Sequence, residues 1–180
     1  AVFKQYDVRA PETGAELTAP VSFNLMFPTP IGPSGAEQGY LRPETAQGIF
    51  LNFRYCLEQN AGAMPFGVAQ IGKAFRNEIS PGKGLIRQRE FTQAEIEFFV
   101  HPELKAHAKF VNVADLRLQL FGSPAQLAAE PAVVKTLGEA VSSGLIANET
   151  LGYFIGRCYE FLVRAGCNPA HVRFRQHLPD

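Results

Sequence analysis

The sequence predicts an α+β fold, an antiparallel β-sheet with helices packed on one of its faces. Three observations carry that expectation. Residues 66–78 and 87–100 alternate apolar and polar side chains with the period of two that marks a strand. Between them lies Ser80-Pro81-Gly82-Lys83-Gly84, a turn-forming run longer than a tight hairpin needs, which predicts a mobile loop. Stretches with helical spacing stand before and after this pair of strands.

The helix before the strands is read from Ala46, Ile49, Phe50, Phe53 and Leu57, which recur on one helical face. Pro43 suits a first helical turn and Gly62 follows the end. Upstream, residues 1–40 are rich in Pro and Gly, with one apolar run, Val21 to Phe27, that reads as a strand. Pro28 to Gly39 reads as an irregular loop. From Pro102 to about Gly166 the pattern is helical, interrupted at Gly122-Ser123-Pro124, at Pro131 and at Ser142-Ser143-Gly144. Leu151, Phe154, Ile155, Cys158, Phe161 and Leu162 give the last helix a broad apolar face. His171 to Arg175 alternates once more and predicts a final strand.

Composition narrows the function classes. With 180 residues the chain suffices for one domain with a core. Zero net charge excludes a protein that binds nucleic acid through its charge as a whole, so any such contact is local. No apolar run approaches the roughly 18–20 residues that span a bilayer, and no basic, apolar leader opens the chain. Ala1 in first place, without an initiator Met, points to a processed or excised chain. Cys56, Cys158 and Cys167 are odd in number and far apart, which argues against a zinc knuckle or a disulfide framework and for a reducing, intracellular setting. The four histidines show no metal-ligand spacing.

Alternation places the chemistry. On the first central strand Ala69, Ile71 and Phe75 share a face, and Gln70, Gly72, Ala74, Arg76 and Glu78 share the other. On the second strand Thr92, Ala94, Ile96 and Phe98 lie opposite Arg87, Arg89, Phe91, Gln93, Glu95 and Glu97. The expected sheet therefore has a conventional core face and a face crowded with charge, amide and one ring. Lys73 falls on the apolar side and does not fit. A solvated outer face is the plain explanation. The residue choice fits a nucleotide: Gly72 and Ala74 clear a floor beside Arg76, arginine forks match phosphate, a ring stacks on a base, and a carboxylate accepts from an exocyclic amine. Glu44, alone, reads equally as an acid in a helix first turn, Lys83 as a solvated loop lysine, and Arg89 as a structural ion-pair partner of Glu95 or Glu97.

Phe75-Arg76-Asn77-Glu78, a glycine-containing loop and Arg87-Gln88-Arg89-Glu90-Phe91 resemble the second signature motif of class II aminoacyl-tRNA synthetases. That motif is Arg-x-Glu, a loop, then Arg or His followed after three residues by Phe. Further stretches are similar to glycyl-tRNA synthetases of the dimeric, eukaryote-like type: Phe23 to Phe27, Ile31-Gly32-Pro33, Tyr40 to Gly48 and Arg89 to Glu97. Asn148 to Tyr153 and Arg173 to His177 resemble the same family, and the likeness is weakest between 102 and 147. The resemblance implies a partial class II catalytic core: 1–101 with the motif at 75–91, a helical insertion over 102–147, and a helix and strand over 148–180 returning to the core.

Carried over residue by residue, the resemblance implies that Arg76 binds the α-phosphate of ATP and stabilises its developing charge. Asn77 and Glu78 contact the nucleotide, Arg87 reaches the γ-phosphate with Gln88 beside it, and Phe91 stacks on adenine. Glu44 and Glu95 hold the ammonium of glycine. The implied partners are glycine, ATP with Mg²⁺ and tRNA(Gly), in a homodimer without a membrane, cytoplasmic or mitochondrial. No metal ligand is assigned to this stretch. The family's third motif and its anticodon-binding domain are not matched here, so the resemblance implies that these 180 residues alone bind ATP poorly and do not aminoacylate. Two rival readings are a catalytically silent, synthetase-like accessory subunit that binds nucleic acid, and a class II enzyme for another amino acid.

Overall fold

The computed structural model describes residues 5–178. The chain divides between Phe98 and Phe99 into two compact units. Strands and helices mix in both, with strand pairing antiparallel in all but one case, as the predicted α+β class requires.

The first unit opens with a hairpin, β1 (Pro28–Ile31) against β2 (Glu37–Tyr40), in antiparallel register from Pro28 beside Tyr40 to Ile31 beside Glu37. Here the sequence reading is corrected. The expected strand at 21–27 is irregular, and the expected loop holds the strands. Two prolines in β1 hid it. Proline cannot donate to a ladder, but it is tolerated at an edge, and a two-stranded hairpin is all edge. Gly32 and Gly35, at φ +76° and +63°, make the reversal.

The predicted first helix exists as two pieces, α1 (Ala46–Leu51) and α2 (Phe53–Gln59). Asn52 separates them, and its side-chain amide donates to Gly48 O at 2.8 Å, competing with the helical ladder. Of the proposed helical stripe, Ile49 is buried while Phe50 is exposed.

β3 (Phe66–Phe75) and β4 (Glu90–Phe99) pair with each other. Arg76 N donates to Arg89 O at one end, and a Cβ on Gly67 would meet Phe98 at the other, so the strands run antiparallel. The expected division of their faces needs correction in one respect. The side carrying Ile71 and Ile96 is not a packed interior: those residues are 76% and 69% exposed. Segment 42–49, with α1, lies over the other side, the one assigned to a nucleotide. Lys73, the misfit, sits with Glu90 in a 2.6 Å ion pair on the open side.

The second unit holds the larger buried cluster: Phe110, Val113, Leu118, Leu120, Leu137, Ala140 and Ile146. Its sheet has the order β6 (Val133–Thr136), β5 (Arg117–Phe121), β7 (Arg173–Arg175). β6 joins β5 antiparallel and β7 joins it parallel. This corrects two expectations. The stretch 102–147, expected to be helical, contributes two strands beside the short helices α3 (Ser123–Leu127) and α4 (Leu137–Ser142). The final strand pairs with β5 and not with the central strands. Runs of four or five residues cannot separate helix from strand by period.

α4 begins with a capping box: Thr136 accepts from Glu139 N, and the Glu139 carboxylate accepts from Thr136 N. Both backbone and hydroxyl donors of Thr136 hold the Glu139 pKa below its usual value. α5 (Glu149–Arg164) is capped by Asn148, whose side chain accepts from Leu151 N at 2.9 Å. It meets the core through Gly152 and Gly156. A Cβ on Gly152 would lie 2.8 Å from Phe110, and one on Gly156 would lie 2.8 Å from Val113 Cβ.

Candidate active site

The site is built where β3 ends. Segment 42–45 crosses there and is tied down by the sheet's own polar groups. Phe75 N donates to Arg42 O at 2.8 Å, and Arg42 Nε donates to Lys73 O at 2.7 Å. Oriented to satisfy both neighbours, the Gln70 amide donates to Thr45 O and accepts from Arg42 Nη1, each at 3.0 Å. The floor at Gly72 is therefore not vacant, contrary to the sequence expectation. A Cβ at Gly72 would stand 2.3 Å from Arg42 Nη2, so glycine is what admits the guanidinium. Ala74 is buried as well.

Thr45 is fully buried and links the two strands to α1. As the residue preceding the helix it would ordinarily accept from the first turn, yet its side chain makes no such bond. Both its backbone N–H, at 2.6 Å, and its hydroxyl donate to Glu95 Oε2. The Thr45 hydroxyl is the main reason that the Glu95 carboxyl titrates below its ordinary value, with Thr45 N, Ala46 N and the Arg76 charge adding to it against burial. Glu95 is thus an anion at neutral pH, held at the start of α1.

A cavity of about 370 Å³ opens beside this junction, lined by Leu25, Met26, Pro43, Glu44, Arg76 and Glu78. That size lies within the range of small-molecule sites, roughly 300–1,000 Å³. Larger cavities occur along α5 and beside α2, but neither gathers arginine with two carboxylates. Arg76 is exposed and anchored through Nε to Pro43 O at 3.3 Å. Glu44 and Glu78 are half-buried. Phe91, 37% exposed, stands four residues from Glu95 on β4 and hence on the same face.

Of the residues singled out in the sequence, the structure gathers Glu44, Arg76 and Glu78 round one cavity, with Glu95 within electrostatic reach of Arg76. Asn77 is turned elsewhere. Its N–H donates to Leu25 O at 2.7 Å and its amide to Asn24 O at 3.2 Å, so it fastens the 24–25 segment that forms one cavity wall. Arg87 and Gln88 belong to the connecting loop. Arg87 exchanges backbone hydrogen bonds with Gly82, and Gln88 donates to Gly84 O. Arg89, considered as an ion-pair partner of Glu95 or Glu97, instead donates to Glu78 O from Nε and Nη2, both at 3.2 Å. That contact closes the base of the loop. Gln70 was placed on this face from the sequence but given no role, and Arg42, Thr45, Leu25 and Met26 were not singled out from the stretches that contain them. A threonine before an apolar helix was a visible start signal, but its partner lies 50 residues away.

The tRNA synthetase class II core domain (G, H, P, S and T) matches residues 33–151. The chain belongs to this class II core family. It is 55% identical over 177 residues to the glycine–tRNA ligase of Caenorhabditis elegans, covering 98% of this chain and 24% of that protein. It is 54% identical over 179 residues to the mitochondrial glycine–tRNA ligase 1 of Saccharomyces cerevisiae, with coverage of 98% and 26%. The glycine–tRNA ligase of the archaeon Methanothrix thermoacetophila is 49% identical over 179 residues, with coverage of 99% and 31%. The chain thus spans about a quarter to a third of the length of these relatives. In this chain Arg76 and Glu78 follow directly on the end of β3, beyond the strand expected to carry them, and Phe91 lies on β4.

Proposed function

We propose that the protein containing this chain activates glycine with ATP and transfers it to tRNA(Gly). The observation that carries the proposal is the convergence of Arg76, Glu44 and Glu78 on one cavity, with anionic Glu95 beside it. In the first step a carboxylate oxygen of glycine attacks the α-phosphorus in line, and pyrophosphate leaves. In the second, the 3′-terminal ribose hydroxyl of tRNA attacks the glycyl carbonyl, and AMP leaves. Neither step needs a protein nucleophile; positioning and charge stabilisation suffice.

In this reading Arg76, already oriented by Pro43 O, offers its terminal nitrogens to the α-phosphate. Glu78 meets the adenine amine and Phe91 its ring, while Arg87 swings in with the loop to the γ-phosphate and Gln88 follows. Asn77 acts on the nucleotide through the wall it fastens. Glu44 grips the ammonium of glycine. Glu95 remains ionised, adds its charge to that grip and holds segment 44–46 in register. Every competing amino acid is larger than glycine, and a wall close to the ammonium rejects side chains sterically, whereas an apolar pocket separates one methylene by only about 1–3 kcal/mol.

Among the described residues no three His, Cys, Asp or Glu side chains are grouped to hold a metal ion. Mg²⁺ enters this reading on the phosphates of ATP, and no residue here is assigned to it. A homodimer in the cytoplasm or mitochondrion completes the proposal. No described helix is long and apolar enough to cross a membrane. The test is pyrophosphate exchange by the full-length protein with each amino acid in turn. Glycine-dependent exchange is expected, and exchange with a different amino acid, or none at all, refutes the assignment.

A further inference from the structure

The sheet of the second unit has one face on the core and one open, and the open face is unusual in what it carries. Leu118 and Leu120 of β5 are buried, and Phe174 of β7 packs against the same cluster. Alternation therefore turns Arg117, Gln119 and Phe121 of β5, with Arg173 and Arg175 of β7, to the opposite side. The register sets Gln119 beside Arg173 and Phe121 beside Arg175, with Val134 of β6 completing the row. All three arginines are exposed.

Their geometry is partly fixed in advance. The Arg173 guanidinium lies over the Phe121 ring, 5.0 Å from its centroid. Arg175 Nε donates to Gln126 Oε1. Gln119 is held by Ala170 O at 3.1 Å. Among the described residues none of the three arginines forms an ion pair. Glu139 senses this face, its titration being lowered chiefly by Thr136 and to a lesser degree by Arg117 and Lys135. In a chain with no net charge, three arginines on one small sheet are a local excess.

We propose that this open β6–β5–β7 face, on which Arg117, Arg173 and Arg175 lie together with Phe121, binds the phosphate backbone of the RNA substrate. Planar guanidinium groups match phosphate oxygens bidentately. Phe121 is already covered by the Arg173 guanidinium, so its part is to hold that planar group in place on the sheet. Arginine and aromatic rings also mark protein interfaces; what favours a polyanion here is that none of the three guanidinium charges has an ion-pair partner among the described residues. The proposal rests on the tRNA-charging reading, which it deepens by naming a further contact with the same substrate.

The test uses the full-length protein carrying Arg117→Ala with Arg173→Ala, and separately Arg173→Lys. RNA retention on filters is measured across a salt series, beside the KM for tRNA and pyrophosphate exchange. Each lost phosphate contact lowers the log–log salt slope by about 0.7–0.9, so the double variant loses roughly 1.4–1.8. Its KM for tRNA rises on the order of tenfold, and exchange, which involves no RNA and also reports that the variant is folded, stays as in the wild type. Arg173→Lys keeps the slope and loses part of the affinity with the stacked plane. An unchanged slope and KM overturn the proposal, as does a changed subunit mass with unchanged RNA retention, which would make the face a protein interface. Exchange with another amino acid would defeat the glycine reading alone, since filter retention is read without it.

Discussion

Replacing Thr45 by Val isolates the contact that joins the two strands to α1. The hydroxyl is removed while size and β-branching are nearly kept, and the backbone N–H still donates to Glu95 at 2.6 Å. Thr45 is 0% exposed, whereas the Glu95 carboxylate is only half-buried, so water compensates for part of the lost bond. A hydrogen bond to a charged group contributes about 1.5–3 kcal/mol. With one of two donors retained, the lower end, about 1.5 kcal/mol, is expected. The assay is native-state hydrogen exchange, which reads the local opening of an element such as α1. At roughly 1.4 kcal/mol per decade, amides such as Asn52 N, bonded to Gly48 O at 3.2 Å, should exchange about tenfold faster. The effect must also depend on pH. Because the folded pKa of Glu95 is depressed, its contribution is present above the unfolded carboxylate value of 4.5 and is lost as pH falls through the folded value. Wild type and variant should therefore converge in acid. A difference that persists unchanged in acid, or exchange in α1 that does not respond at neutral pH, would show that the Thr45–Glu95 bond does not hold the helix.

Three further outcomes are expected. Arg76→Ala should lower glycine-dependent pyrophosphate exchange by about 10²–10³-fold, the usual cost of removing a stabiliser of developing charge, and Arg76→Lys should recover only part of it, as read in initial rates. Asn77→Ala should loosen the 24–25 segment, seen as faster limited proteolysis around residues 21–27; unaltered cleavage with a raised KM for ATP would instead make Asn77 a direct nucleotide ligand. Gly156→Ala should destabilise the second unit despite a gain of about 1 kcal/mol in helix propensity, because its Cβ would lie 2.8 Å from Val113 Cβ and 3.0 Å from Leu137 Cδ1, both buried, and overpacking costs about 1–3 kcal/mol. A lowered thermal midpoint checks it.

Much of the candidate site was legible before any coordinates. Period-two alternation runs for ten residues in β3 and again in β4, long enough to fix which side chains share a face, and the two motif halves fall at their joined ends. α5, with sixteen residues and an Asn cap, was equally plain. The short strands β1, β5 and β6 were not, since four or five residues carry too little period to outweigh prolines or a neighbouring helical pattern.

By itself, then, the amino-acid order determined the class of fold, the paired central strands, and most of the charged residues that gather at the candidate site. Only the folded chain decided that Gly72 makes room for Arg42, that Asn77 fastens a wall, and that Thr45 spends its donors on Glu95 rather than on its own helix. The physical reason is separation. Propensity and period act over a few residues, whereas these contacts join positions 30 to 53 apart, and nothing in a local pattern names the partner that three-dimensional packing brings alongside.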